Sequence, residues 1–250
     1  MDSDDGATGV ELVPTGIAGL DAMLYGGIPK DNQTIIAGGP GAGKTLLAFE
    51  FLYRGAKAGQ TGIFFALEED PKKIVQNAKN AFLNFDDVDE FIDRGRIIVS
   101  GRDVTVDMDR MEKGSSLEFG HMVGEIEDAI TSYKATRVVI DSSYAIELII
   151  KNSAEYRRSM WALVANLRRL GVTSILTSEL ATSDKRRLEF RPEHFIFDGM
   201  IVMYQSGEEK RRVQSMEIIK MRGYKHSFVT APYDITPGGF KVFSPESMTT

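Results

Sequence analysis

The 250-residue sequence contains no cysteine, which removes disulfides, thiolate zinc sites and cysteine nucleophiles from consideration. Nor does any apolar run approach the roughly 18 residues that a membrane span needs. The opening "MDSDDGATG" lacks the basic start and apolar middle of a signal peptide, so a cytoplasmic protein without a membrane segment is expected. No Pro/Ser-rich linker and no internal repeat interrupts the pattern, which favours one domain over residues 1–250 with residues 1–11 as a flexible tail. Positive charge is also in short supply. The formal net charge is -6, and a duplex phosphate backbone is held chiefly by Lys and Arg, so general duplex binding is not expected. What is present, 42% hydrophobic and 26% charged residues, is the balance of a chain that buries a core.

From Leu12 onward, short β-like runs alternate with amphipathic stretches. The patterns predict strands over 34–37, 61–67, 96–100, 137–140, 173–177, 199–204 and 212–220, and helices over 45–58, 71–84, 120–133 and 154–170. Strands separated by helices of that length imply right-handed crossovers and a mainly parallel sheet, hence an α/β fold. The late run "RRVQSMEIIKMRG" and the following "FVTAPYDITPGGFKVFS" carry no helical period and read as antiparallel strands added to the parallel core.

Between the first predicted strand and helix stands Gly38-Gly39-Pro40-Gly41-Ala42-Gly43-Lys44-Thr45, which fits G-x-x-x-x-G-K-[ST], with Leu46 entering the helix. Glycines allow backbone conformations closed to other residues and leave no side chain between amide N–H groups and a bound anion. The positive end of the helix dipole points at the same anion, Lys44 adds a point charge, and the Thr45 hydroxyl can ligate Mg²⁺. The backbone itself is the ligand. ATP or ADP with Mg²⁺ is therefore the expected cofactor.

Two acidic strand ends supply candidates for the remaining chemistry. "RVVIDSS" ends in Asp141, and ligands of open parallel sheets lie just beyond the carboxyl ends of strands, where this carboxylate can hold Mg²⁺ through water. "GIFFALEED" ends in Glu68, Glu69 and Asp70. Asp70 before Pro71 suits a helix cap, which leaves Glu68 and Glu69 to polarise water for attack on the γ-phosphate, with Glu68 also available to the metal.

These motifs, in this order, resemble the RecA-like branch of P-loop ATPases and, more closely, the KaiC-like family. "PTGIAGLDAMLYGGIP", "ALEED", "RVVIDS", "ILTSE", "IIKMRGYKHS" and "PYDIT" all look like that family's motifs, from about Thr15 to Phe243. The resemblance implies a nucleotide cleft between neighbouring subunits of a ring, commonly a hexamer. It implies Glu68 as the main catalytic carboxylate with Glu69 paired to it, and Ser178 and Glu179 near the γ-phosphate. It implies that Lys220 and Arg222 reach the ATP of the adjacent subunit, with His226 near that nucleotide. On the residues alone, "IIKMRG" is an alternating strand that projects both cations from one face and packs Ile219 and Met221 on the other.

Two departures stand out. The family's clock protein carries two fused copies, whereas this sequence holds one. Where the second copy has an autophosphorylated Ser-Thr pair, "PEHFIFDG" places His194 and Phe195, so autokinase activity at that site is not expected. Asp31 in "IPKDN" also occupies a position where glycine is common.

The function expected is that of a slowly hydrolysing ATPase, self-assembled and acting as a nucleotide-dependent switch or scaffold for a protein partner. The alternative is a nucleic-acid motor. Its candidate strand-contacting loop holds Lys185, Arg186, Arg187 and Arg191, diluted by Asp184, Glu189 and Glu193, with only Phe190 available for stacking.

Overall fold

The computed structural model describes residues 9–101, 115–150, 152–181, 185, 189–206 and 213–243. Among the described residues, nine strands form one sheet. In chain order its members are β3 (Gln33–Gly38), β4 (Gly62–Ala66), β5 (Ile97–Gly101), β6 (Arg137–Asp141), β7 (Thr173–Glu179), β8 (Gly199–Ser206), β9 (Val213–Met221), β10 (Ala231–Thr236) and β11 (Gly239–Val242). Their spatial order is β11-β10-β9-β8-β3-β7-β6-β4-β5. The six from β8 to β5 run parallel, and β9, β10 and β11 add antiparallel pairs, as the helix-free late sequence predicts. The start of the chain adds a small ribbon, β1 (Leu12–Val13) with β2 (Ile28–Pro29).

Parallel strands buried on both faces read as continuous apolar runs, and "QTIIAG" and "GIFFA" are buried at every position. Helices cover the two faces. One core packs α1 (Ala18–Met23), α2 (Lys44–Lys57), α3 (Pro71–Ala81) and α4 (Val88–Asp93) against the sheet. The other packs α5 (Ser115–Tyr133), α6 (Ser143–Ile149) and α7 (Ser153–Arg169) against the opposite side.

Helix α3 begins as its sequence dictates, since the Asp70 carboxylate accepts from the Lys72 and Lys73 amides at 2.8 and 3.3 Å and Pro71 occupies the first turn. It ends at Ala81, short of the predicted 84. Phe82 and Phe85 turn inward instead, with the Phe85 ring stacked on Tyr53 at 3.7 Å, and the Asn84 amide donates to the Pro237 carbonyl at 3.0 Å. Tertiary burial overrides helical period there.

The stretch "PTGIAGLD" is a structural clasp. Asp21 accepts from the Thr15 hydroxyl, the Thr15 amide and the Gly16 amide at 2.6, 2.7 and 2.9 Å. A Cβ at Gly19 would lie 1.9 Å from the Val242 carbonyl, so only glycine lets α1 approach β11 this closely. Of the predicted tail, residues 1–8 lie outside the described residues, while Glu11 pairs with Lys30 at 2.7 Å. Asp31 takes a left-handed φ of 61°, the conformation for which glycine is preferred and which Asp tolerates better than most residues.

The simple alternation expected of "IIKMRG" is broken. A register shift between Met200 and Ile201 leaves Ile219 as an extra residue, so Ile218 and Met221 join one core while Ile219 packs against the other. Lys220 and Arg222 nonetheless reach the same group of carbonyls. The bulge re-aims the strand without separating its cations.

Candidate functional site

The glycine loop leaves the carboxyl end of β3 and enters α2 at Lys44. Gly43 has a φ of 90°, and a Cβ there would stand 2.9 Å from Ile235 and 3.1 Å from the Phe240 ring. The turn therefore requires glycine on two counts. Registry then gathers the acids, because Gly38 pairs with Glu179, Ala66 pairs with Asp141, and parallel strands end at one edge. The resulting cleft is about 810 Å³ and is lined by Gly41, Lys44, Thr45, Leu46, Glu68, Glu69, Asp141 and Glu179, among others. Gly38, Gly39 and Ala42 are buried in the loop's inner wall, and Pro40 stands at its exposed tip.

Lys44 is buried, with Nζ donating to the Gly38 and Gly39 carbonyls at 3.0 and 3.1 Å and lying 4.0 Å from Glu179. Burial lowers its pKa, against the pull of Glu179, Asp141 and Glu68. The Thr45 hydroxyl donates to Asp141 Oδ2 at 2.9 Å, and Thr177 donates to Asp141 Oδ1. Burial raises the Asp141 carboxyl above the ordinary range despite these bonds. A hydroxyl and a carboxylate in contact beside a phosphate loop form a hard-oxygen donor set that suits Mg²⁺. Among the described residues, no group of three or more His, Cys, Asp or Glu forms a metal cage.

The two glutamates after β4 part company. Glu68 accepts from the Ser142 hydroxyl; its partial burial, with the charges of Asp141 and Glu179 added, raises its carboxyl toward the proton-accepting range of a base. Glu69 is held on α3 by Lys73 at 3.1 Å and Asn77 at 3.2 Å. Ser178 and Glu179 likewise diverge, because consecutive strand residues face opposite sides. Glu179 lies in the cleft, whereas Ser178 is buried with its hydroxyl 3.1 Å from His194 Nε2.

Lys220, Arg222 and His226 are not in this cleft. Lys220 donates to the Phe195 and Phe197 carbonyls at 3.2 and 2.7 Å, and Arg222 donates to Phe195 at 2.7 Å. His226 is buried beside Ser227, whose amide donates to the Met23 carbonyl at 2.8 Å. Ser142 and Thr177 are the contacts that sequence reasoning passes over. Ser142 directly follows Asp141, and strand alternation puts Thr177 on the same face as Glu179, so the signals were present in "IDSS" and "LTSE".

Of the basic loop, Lys185 pairs with Glu217, and Arg191 pairs with Glu147 and lies 3.7 Å from Glu193. Arg186 and Arg187 lie outside the described residues. A second cavity of about 620 Å³, lined in part by Tyr156, Trp161 and Arg191, contains none of the phosphate-loop residues.

His194 is fully buried on a 3-10 turn (Pro192–Phe195), and burial, with the nearby charges of Arg191 and Lys220, pushes its imidazole down to about 4. Its native form thus binds fewer protons than the unfolded chain between about pH 4 and 6.5, so stability falls as pH drops through that window. Urea unfolding at pH 7 and pH 5 should differ by on the order of 1–2 kcal/mol from this group, and His194→Gln should flatten the dependence. An unchanged slope in the variant would show that His194 titrates normally.

A glycine loop between strand and helix, at the carboxyl edge of a mostly parallel sheet and faced by acids from neighbouring strands, defines a P-loop nucleotide-binding domain of RecA-like fold. Residues 13–247 match the family described as "ATPase: KaiC", and the chain belongs to that family. Its similarity to the circadian clock oscillator protein KaiC of Rippkaea orientalis is 36% identity over 236 residues, 94% of this chain and 44% of that protein. Against the protein of the same description from Picosynechococcus it is 35% over 243 residues, 96% of this chain and 46% of the relative. The chain therefore spans less than half the length of these curated relatives. No described helix is long and apolar enough to cross a membrane.

Proposed function

We propose that the protein binds ATP with Mg²⁺ at Gly38–Thr45 and hydrolyses it slowly in a ring of identical subunits, commonly a hexamer. The ring acts in the cytoplasm as a nucleotide-dependent switch or scaffold for a protein partner. Lys44 and the loop amides hold the phosphates, and Thr45 and Asp141 hold the metal, which screens the developing phosphate charge when bound. Glu68 accepts a proton from the attacking water while the Ser142 hydroxyl and the Ala145 amide steady its carboxylate. Glu69 supports α3 beside it, and Glu179 pairs with Lys44 before phosphate arrives. His194 and Phe195 have no hydroxyl to phosphorylate, which argues against autokinase chemistry at that point.

One observation carries the shared site: Lys220 and Arg222 are too far from their own phosphate loop. Lys220 pairs with Met200, three residues along β8 from Met203, the partner of Gly38. At about 3.3 Å per residue and about 4.8 Å per strand, the Lys220 backbone stands roughly 14 Å from Gly38, with its side chain turned away. Burial and the charge of Arg222 push the Lys220 ammonium down to about 8, and an anion between the two would relieve that repulsion. A neighbour's γ-phosphate fits. The pairing of Lys185 and Arg191 with carboxylates disfavours the nucleic-acid alternative, which needs those cations free for phosphates.

Arg222→Ala should reduce turnover at least about 10-fold while leaving ATP affinity within about threefold. Mixing it with a Glu68→Gln, Glu69→Gln chain should restore activity at composite interfaces that carry both intact halves. Subunit exchange without any rescue would rule out the shared site.

A further inference from the structure

The Ser178–His194 bond joins the two halves of the machinery within one chain. At one end, the Gly38 carbonyl accepts both Lys44 Nζ at 3.0 Å and the Leu180 amide at 3.1 Å, and Glu179 lies 4.0 Å from the same ammonium. The end of β7 is thus tied directly to the lysine that must move when phosphate binds. One residue back, the Ser178 hydroxyl meets His194 at 3.1 Å in a fully buried contact. The Arg191 amide donates to His194 Nδ1 at 3.3 Å, so Nε2 carries the proton and donates to Ser178. At the other end, the residues after His194 expose the Phe195, Ile196 and Phe197 carbonyls, which hold Lys220 and Arg222. Asp198 closes the segment, accepting from Arg168 at 2.9 Å and the Gln33 amide at 3.1 Å.

We propose that His194 is a positioning residue for hydrolysis in the neighbouring subunit: it links the end of β7, which senses the chain's own phosphate site, to the carbonyl cradle that aims Lys220 and Arg222. The proposal rests on the shared site argued above. When Lys44 leaves the Gly38 and Gly39 carbonyls for a phosphate, β7 loses an anchor beside Gly38, and the buried Ser178–His194 bond transmits the shift to the 192–197 segment. Because Asp198 pins the far end, the movement is taken up in the carbonyls that carry the cations. Each subunit's nucleotide thereby sets the posture of the cations it offers to the next.

The test uses the directional mixture. A chain with Glu68→Gln and Glu69→Gln presents intact cations and has no turnover of its own, and an Arg222→Ala chain keeps its carboxylates, so the rescued rate reports cation presentation by the first chain. Adding His194→Ala to the presenting chain should cut the rescued rate by about fivefold or more, and adding it to the receiving chain should cut it by less than about twofold. His194→Gln in the presenting chain should recover most of the loss, since its amide can still donate to Ser178. If His194→Ala does not fold, Ser178→Ala removes the same bond with a smaller change in volume. Equal losses from either chain, or rescue undiminished by the presenting-chain change, would overturn the proposal. Absence of rescue with the unaltered presenting chain would instead remove the shared site, and the proposal with it.

Discussion

Lys44→Ala should weaken ATP binding at least about 100-fold, to below what calorimetry detects. In the free chain the ammonium is parked on two neutral carbonyls, and binding exchanges those contacts for bonds to phosphate in which both partners are charged. Without it, Glu179 and Asp141 face the phosphate while Lys73, the other cation lining the cleft among the described residues, is already paired with Glu69, so the loss exceeds that of one hydrogen bond. The fold should survive, because burial already disfavours the charged lysine and the buried Asp141 keeps the Thr45 and Thr177 hydroxyls as hydrogen-bond donors. A normal thermal melt with lost ATP binding is the expected pair of results. Unchanged affinity in a folded variant would remove the phosphate-loop assignment.

Glu68→Gln should lower turnover about 100-fold or more and leave ATP binding largely intact. Glutamine keeps the shape and can still accept from Ser142, but it cannot take a proton from water, and loss of a positioned base commonly costs a factor of 10²–10⁴. Glu69→Gln should cost only a few-fold, since that carboxylate is occupied by Lys73 and Asn77 on α3. Single-turnover kinetics on the two variants separates the roles. Equal losses would mean that the carboxylates act as one unit, and a larger loss at Glu69 would reverse the assignment.

How much of this was legible in the sequence depends on how local the signal is. Gly38–Thr45 could be read directly, because the phosphate loop is specified by backbone freedom at fixed spacing. The buried strands could be read from their apolar runs, and the Asp70-Pro71 start of α3 from capping chemistry. The end of α3 could not, because Phe82 and Phe85 fit a helical pattern as well as they fit the pocket around Tyr53. The bulge at Ile219 was equally hidden: alternation continues in the letters while the pairing with β8 slips by one. The divergence of Glu68 from Glu69 depends on Ser142, which is distant in the chain and meets the Glu68 carboxylate only after β4 and β6 have paired, whereas Asn77 holds Glu69 locally from α3. Local conformation was visible; partnership across strands was not.

In the proposed assembly each active site is completed by a neighbouring subunit. ATP turnover per subunit, followed across a dilution series together with sedimentation velocity of the same samples, tests this most directly. Turnover should fall in step with dissociation of the assembly, while ATP binding to the dissociated chain persists through Gly38–Thr45. A dissociated monomer that hydrolyses ATP at the full assembled rate would contradict it.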